Sequence, residues 1–257
     1  MSGLANPSRF STLVHTQQGS AATIGTATVG WGPKVHRTMT AHLKIDFVSD
    51  ISCPWCAVGL GALQQALERI GPAISTEMQF LPFELNPQMP AGGQDMGEHL
   101  SQKYGTTAQQ QAQSRENIRL RGAEVGFQFN VQGRGRIYNT FDAHRLLFWA
   151  GQVHPQKQLA LKQALLIACH RDRQAMDEHP VLLAAAQAAG LDADPAAQIL
   201  ASDAHAQDVR RSQARYHAAG IHAVPAVIIN DRHLISGGQP SAVFEQALRQ
   251  IAAGDLA

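Results

Sequence analysis

Cys53-Pro54-Trp55-Cys56 constrains this chain more than any other stretch. It follows the alternating run Leu43-Lys44-Ile45-Asp46-Phe47-Val48. It precedes apolar residues at helical spacing: Leu60, Leu63, Leu67 and Ile70. The pattern predicts a strand, a short turn, then a helix whose first turn carries both cysteines. Side chains three apart on a helix face the same way, with Cβ atoms about 5–6 Å apart, so a small adjustment closes a disulfide. The helix end also presents unpaired N–H groups and the positive end of its dipole, which favour a thiolate. Such settings lower a cysteine pKa from about 8.5 to roughly 3.5–7.5. A low-pKa thiolate with a resolving partner one turn away is the apparatus of thiol–disulfide exchange.

A metal site explains the motif less well. A second cysteine pair is needed for a four-cysteine zinc site, and the chain has 3 Cys, the remaining one being Cys169. A Cys₂His₂ site needs two histidines at ligand spacing. His217 and His222 come nearest to that spacing and lie far downstream. Cys169 sits among Leu165, Leu166 and Ile167, where a buried inert thiol is expected. No metal and no cofactor are therefore expected.

Charge sets further bounds. With 21 basic and 20 acidic side chains the net charge is +1, which gives no electrostatic case for nucleic acid or an anionic membrane. No apolar run approaches the roughly 18 residues needed to span a bilayer. Residues 1–42 are rich in Ser, Thr, Gly and Ala and lack the apolar core of a secretory signal. They are expected to form a disordered leader, with Met39 a candidate natural start and residues 1–38 dispensable. An odd cysteine count with one redox-type pair fits a reducing compartment, or at least does not require an oxidising one.

Along the chain, Ile74 to Leu81 alternates and forms a second strand after the helix-ending Gly71-Pro72. Right-handed crossover makes that β-α-β unit parallel. From Met96 to about Ala219 the pattern is helical. It is interrupted by an irregular stretch, Gly126 to Tyr138, whose Gly133-Arg134-Gly135-Arg136 run reads as a solvated loop rather than an anion contact. Strand character returns at Ala226 to Asn230, turns at Asn230-Asp231, and continues at His233 to Ser236. A last helix begins near Ser241, with Val243, Phe244, Ala247, Leu248 and Ile251 on one stripe. The fold class is therefore α/β, with a large all-helical insertion between β-α-β and β-β-α halves. The boundaries are 43–88 and 220–257 for the sheet domain and 89–219 for the insertion.

Val224-Pro225 stands at the start of the third strand, where a thioredoxin-like fold needs a cis proline facing the cysteines. Proline offers no N–H to compete for the sulfur, and the Val224 backbone is free to pair with an extended substrate. With these pieces assembled, the chain resembles the DsbA-like thioredoxin superfamily in its FrnE-like branch of dithiol–disulfide oxidoreductases and isomerases. The resemblance covers roughly Leu43 to Ile251. It rests on Asp50-Ile51-Ser52-Cys53-Pro54-Trp55-Cys56, Pro82-Phe83-Glu84-Leu85-Asn86-Pro87, Asn139-Thr140-Phe141-Asp142-Ala143-His144-Arg145, Gly220-Ile221-His222-Ala223-Val224-Pro225 and Ser236-Gly237-Gly238-Gln239. It implies a cytoplasmic enzyme with Cys53 as nucleophile, Cys56 as resolving thiol and Pro225 as cis proline. The chain departs from the family pattern at His222-Ala223 and at Ala226, which bears on substrate preference.

Pro54, Trp55 and Val224 are the expected substrate contacts, and Asp50 is expected to cap the turn before the motif. Asn86 is expected to hold its loop by side-chain-to-backbone bonding, and His144 and Arg145 to serve packing or local hydrogen bonds. The partner is a disulfide- or thiol-containing substrate, with glutathione a candidate and a homodimer allowed for. Two rivals stand. One is a glutathione-dependent transferase or isomerase of the kappa and hydroxychromene-carboxylate isomerase type, where serine typically replaces the first cysteine. The other is a redox-inactive substrate-binding module.

Overall fold

The computed structural model describes Ser11–Thr12 and residues 41–254. Ser11–Thr12 is a two-residue strand, β1, and Ala41–Ser49 is the long strand β2. Leu43, Ile45, Phe47 and Val48 of β2 are all buried, on both faces, because β2 lies inside the sheet. Cys53 is the N-cap of helix α1 (Pro54–Ile70), with Pro54 in the first turn, where its missing N–H costs nothing. A 3₁₀ turn, Gly71–Ala73, leads into β3 (Ile74–Pro82), which pairs parallel to β2 from Ala41↔Ile74 to Ser49↔Pro82.

The middle of the chain begins with β4 (Gln94–Asp95), α2 (Met96–Tyr104), α3 (Ala108–Glu124) and β5 (Arg136–Ile137). It continues through α4 (Phe141–Val153), α5 (Pro155–His170), α6 (His179–Ala188), α7 (Ala193–Leu200) and α8 (Ala206–Ala218). The chain then returns to the sheet as β6 (Ala226–Ile229) and β7 (His233–Ser236), and closes with α9 (Ser241–Ala253). Asn230 and Asp231 both take left-handed φ, 53° and 56°, in the three-residue turn that joins the antiparallel strands β6 and β7. The sheet order is β1-β7-β6-β2-β3, with β6 antiparallel to β2 and β1 parallel to β7.

Helices α1 and α9 pack together on one side of the sheet, over Phe47, Leu63, Val227, Phe244 and Leu248. Helices α4, α5 and α8 rest on β3, so the inserted block is packed against the sheet. Leu146, Leu161, Leu165, Leu182 and Ile199 form the block's own core, and Tyr216 of α8 joins Val48, Phe83 and Ile228 beneath the sheet.

The fold class expected from the sequence is observed: a thioredoxin-like α/β protein with a helical insertion. Three local differences stand out. Strand β2 begins at Ala41 rather than Leu43, because ladder pairing with Ile74 and Ser75 extends past the apolar run. Of the expected disordered leader, Ser11–Thr12 pairs with His233 and Leu234 and residues 41–42 belong to β2; the rest lies outside the described residues. The block also holds the β4–β5 ladder, whose two-residue strands are too short for a period to show.

One close approach seats the sheet on α1. A Cβ on Gly59 would lie 3.0 Å from Pro225 Cγ and 3.4 Å from Gly238 Cα. Both neighbours are rigid, so neither gives way cheaply. Gly59→Ala should destabilise the protein by about 1–3 kcal/mol through overpacking, despite alanine's better helix propensity. A thermal melt should show roughly 2–4 °C lost per kcal/mol. An unchanged Tm would contradict this packing.

Candidate active site

Turn geometry places the first thiol. The Cys53 N–H donates to Asp50 O at 3.3 Å and the Cys56 N–H to Cys53 O at 3.1 Å, which winds the chain into α1. Cys53 takes extended φ and ψ at the N-cap, just outside the helical turn expected from the spacing. Its Sγ donates to Val224 O at 3.6 Å, across the site from β2. The Val224–Pro225 bond is cis. All three cysteines are free thiols. Cys53 is only 4% exposed and Cys56 is fully buried, so solvent reaches Cys53 less freely than a helix terminus alone suggests.

The two thiols are electrostatically unlike. Cys53 is pulled below the ordinary thiol range, first by the hydrogen bond from the Cys56 S–H. The backbone N–H groups of Cys56 and Trp55 act in the same direction, against burial and the Asp50 charge. Cys56 is pushed well above that range by burial, then by the hydrogen bond and charge of Cys53. Lys162 opposes this rise.

Lys162 is the functional candidate that sequence reasoning missed. Its side chain is fully buried in α5, and Nζ has no hydrogen-bond partner among the described residues. Burial lowers its pKa, against the favourable charges of Cys56, Asp50, Cys53 and Cys169. A signal was present in the sequence: Gln158, Lys162, Leu166 and Cys169 follow one stripe of α5, and an amine on an otherwise buried stripe is costly without a purpose.

Asp50 is more than a turn cap. Its carboxylate accepts from Ser52 N (3.1 Å), Ser52 Oγ (2.8 Å), Leu85 N (2.7 Å) and Thr140 Oγ1 (2.8 Å). His144 Nε2 approaches Asp50 Oδ1 at 3.5 Å without hydrogen-bond alignment. Burial disfavours the charge, yet His144 and the Leu85 and Ser52 N–H groups hold the carboxyl well below the usual range.

The remaining candidates separate. Arg145 is buried, pairs with Asp142 and donates to the carbonyls of Ala204, Ile199 and Ser202, which ties α4 to the end of α7 and the segment after it. The Asn86 side chain takes a bond from Lys103 Nζ at 2.7 Å rather than bonding to its own loop's backbone, because α2 comes within reach. Cys169 is buried and receives Arg134 Nη1 at 3.5 Å. Cys53, Pro54, Trp55 and Val224 line one cavity of about 720 Å³, with the α2–α3 region and the segment after α3 as its opposite wall.

A thioredoxin-like sheet with a cis proline across from a helix-capping dithiol narrows the family to few choices. Residues 44–249 match the DSBA-like thioredoxin domain. The chain belongs to that family. It is 30% identical to a probable DsbA oxidoreductase from Streptomyces coelicolor, with a TM-score of 0.76 over 84% of this chain and 92% of that one. It is 28% identical to the uncharacterised protein YwbO of Bacillus subtilis over 214 residues, 82% of this chain and 96% of that protein. The cytosolic disulfide reductase DsbM of Pseudomonas aeruginosa, solved with GSH, shares the fold at 14% identity and a TM-score of 0.55, over 81% of this chain and 98% of that one.

The depressed carboxyl of Asp50 has a pH signature. An unfolded aspartate titrates near about 3.9, so below that pH the unfolded chain binds a proton that the folded chain refuses. The stabilisation is complete above about pH 5 and falls away as the pH drops further. Asp50→Asn should cost about 1–3 kcal/mol at pH 7, since an amide cannot accept from every donor around it. The variant should also lose stability less steeply than wild type between about pH 5 and 3. Urea denaturation at half-unit pH steps checks this; parallel curves would count against it.

Proposed function

We propose that the protein is a dithiol–disulfide oxidoreductase, of the FrnE-like kind, in which Cys53 attacks and Cys56 resolves. The observation that carries this reading is the asymmetry of two thiols one turn apart: one lowered and bordering a cavity, the other raised and sealed. The Cys53 thiolate attacks one sulfur of a substrate disulfide. A Cys53–substrate disulfide forms, and the other half leaves as a thiolate that takes up a proton. Cys56, once deprotonated, attacks Cys53 Sγ and releases the second half as thiolate. Two electrons pass from the dithiol to the substrate, leaving Cys53 and Cys56 joined. A low-molecular-weight thiol reverses the steps and restores the dithiol. Lys162 lies within electrostatic reach of Cys56 and offsets its charge during resolution.

Pro225 presents no N–H to the sulfurs, and Val224 O, released by the Cys53 thiol on ionisation, pairs with the backbone of a bound substrate. Pro54 and Trp55 supply apolar contact at the cavity mouth. Family membership and the family's oxidoreductase members support this chemistry. Glutathione is a candidate for either role of small thiol or disulfide, as in the complex in which DsbM was solved. A reducing, cytoplasmic setting agrees with a single redox pair and a sealed Cys169. Among the described residues no helix is long and apolar enough to cross a membrane. A serine-type transferase or isomerase reading is disfavoured by the cysteine at the attacking position.

Cys56→Ser incubated with oxidised glutathione should accumulate one glutathione on Cys53, while Cys53→Ser should take up none and lose disulfide exchange. Alkylation of the wild type at mildly acidic pH should label Cys53 first. Intact-mass and peptide mass spectrometry read both. A glutathione on Cys169 instead, or no adduct at all, would falsify the assignment.

A further inference from the structure

The loop Gly133-Arg134-Gly135-Arg136 gathers guanidinium groups without acids. Arg134 is half-buried, and its donors meet only sulfur: Cys169 Sγ at 3.5 Å and Met96 Sδ at 3.9 Å. Arg115 of α3 folds over the neighbouring glycine. A Cβ on Gly133 would sit 3.0 Å from Arg115 Cδ and 3.5 Å from its Nη1. Arg173 donates to Gln132 Oε1 at 2.7 Å and to Arg134 O at 3.5 Å, and Arg136 donates to the carbonyls of Gly92 and Gly93. Among the described residues none of these four makes an ion pair with a carboxylate, whereas Arg145, also sunk in the insertion, has Asp142.

The segment is held in place. Gly133 and Gly135 take left-handed φ, 72° and 79°, on either side of Arg134. Gly133 N–H donates to Asn130 O, and Gly135 O accepts from Met96 N–H at 2.9 Å. Arg115 and Arg134 line the same cavity as Cys53. Asp95, the acidic residue on that lining, spends its carboxylate capping α2 through Glu98 N–H. Burial and the Arg134 charge lower the pKa of His170, and His99 is lowered by burial, Lys103 and Arg134, so neither of these two cavity histidines is favoured as a cation beside Arg134. The guanidinium charges are thus left for a ligand.

We propose that Arg134, with Arg115 beside it, forms a carboxylate subsite in the Cys53 cavity, selecting small disulfides and thiols that carry a negative charge. The proposal rests on the dithiol reading above. A cavity of about 720 Å³ suits a ligand of small-molecule size rather than a folded protein segment. Arginine recognises a carboxylate through paired N–H groups, and the sulfur contacts it now makes are weak enough to be exchanged for that.

Three small disulfides of similar length test this: anionic 3,3′-dithiodipropionate, neutral hydroxyethyl disulfide and cationic cystamine. Wild type should prefer them in that order by kcat/KM. Arg134→Gln should lower the anionic-to-neutral ratio about tenfold or more, as expected for a lost charged hydrogen bond, and chiefly through KM. Arg134→Lys should recover part of it, and Arg115→Gln should act in the same direction more weakly. A ratio unchanged in Arg134→Gln overturns the subsite. If that variant does not fold, the wild-type order decides: anionic over cationic by about tenfold supports the subsite, and no charge preference overturns it. Turnover of none of the three overturns the dithiol reading, and the subsite with it.

Discussion

The Asp50 carboxylate joins four parts of the molecule at one point. It lies just past the end of β2, takes two bonds from Ser52 before the dithiol, one from Leu85 after β3 and one from Thr140 at the start of α4. Sheet, active-site turn and insertion therefore share a single buried anion. A buried charge of this kind is tolerable only when its lone pairs are filled, and filling them requires all of these segments to be in place together. The orientation of the turn, and with it the position of Cys53 against Val224, follows from that requirement.

Near this anion the site sorts its remaining charge. Cys53 has the N–H groups of the helix end and the thiol of Cys56 to receive its negative charge, while Cys56 faces burial and the charge of Cys53, which Lys162 only partly offsets. Position along one helical turn is enough to give two identical side chains opposite acidities. Lys162 belongs to the insertion, so the electrostatics of a dithiol carried by the sheet half depend on a helix from the inserted block.

Much of this was legible in the sequence, for reasons that differ by element. Strand β6 showed as an apolar run because it is buried on both faces, β2 as an alternating run whose Leu43, Ile45 and Phe47 share one buried face, and α1 and α9 as stripes because each buries one. The dithiol and Val224-Pro225 were visible as residue types with few other uses in that context. Other features were not legible. Ladders β4–β5 and β1–β7 are two residues long and carry no period. The reach of Lys103 to Asn86 depends on where α2 comes to rest. The place of Arg134 on the cavity lining did not show because a Gly-Arg-Gly-Arg run has the composition of a solvated loop. Only the tertiary placement of Met96, Cys169 and Arg115 shows that this loop faces the site.

The cavity wall has a consequence for how such a protein diverges. The dithiol and the cis proline sit at α1 and before β6, anchored to the sheet, whereas the facing wall comes from α2, α3 and the segment after α3. Substitutions in that wall leave the turn around Cys53 and its hydrogen bonds untouched. The lining of the cavity can therefore drift, or be redesigned, by exchanging a stretch of the insertion, while the dithiol turn is inherited unchanged. Two descendants of such a chain would keep one reaction and part company over what they admit to it.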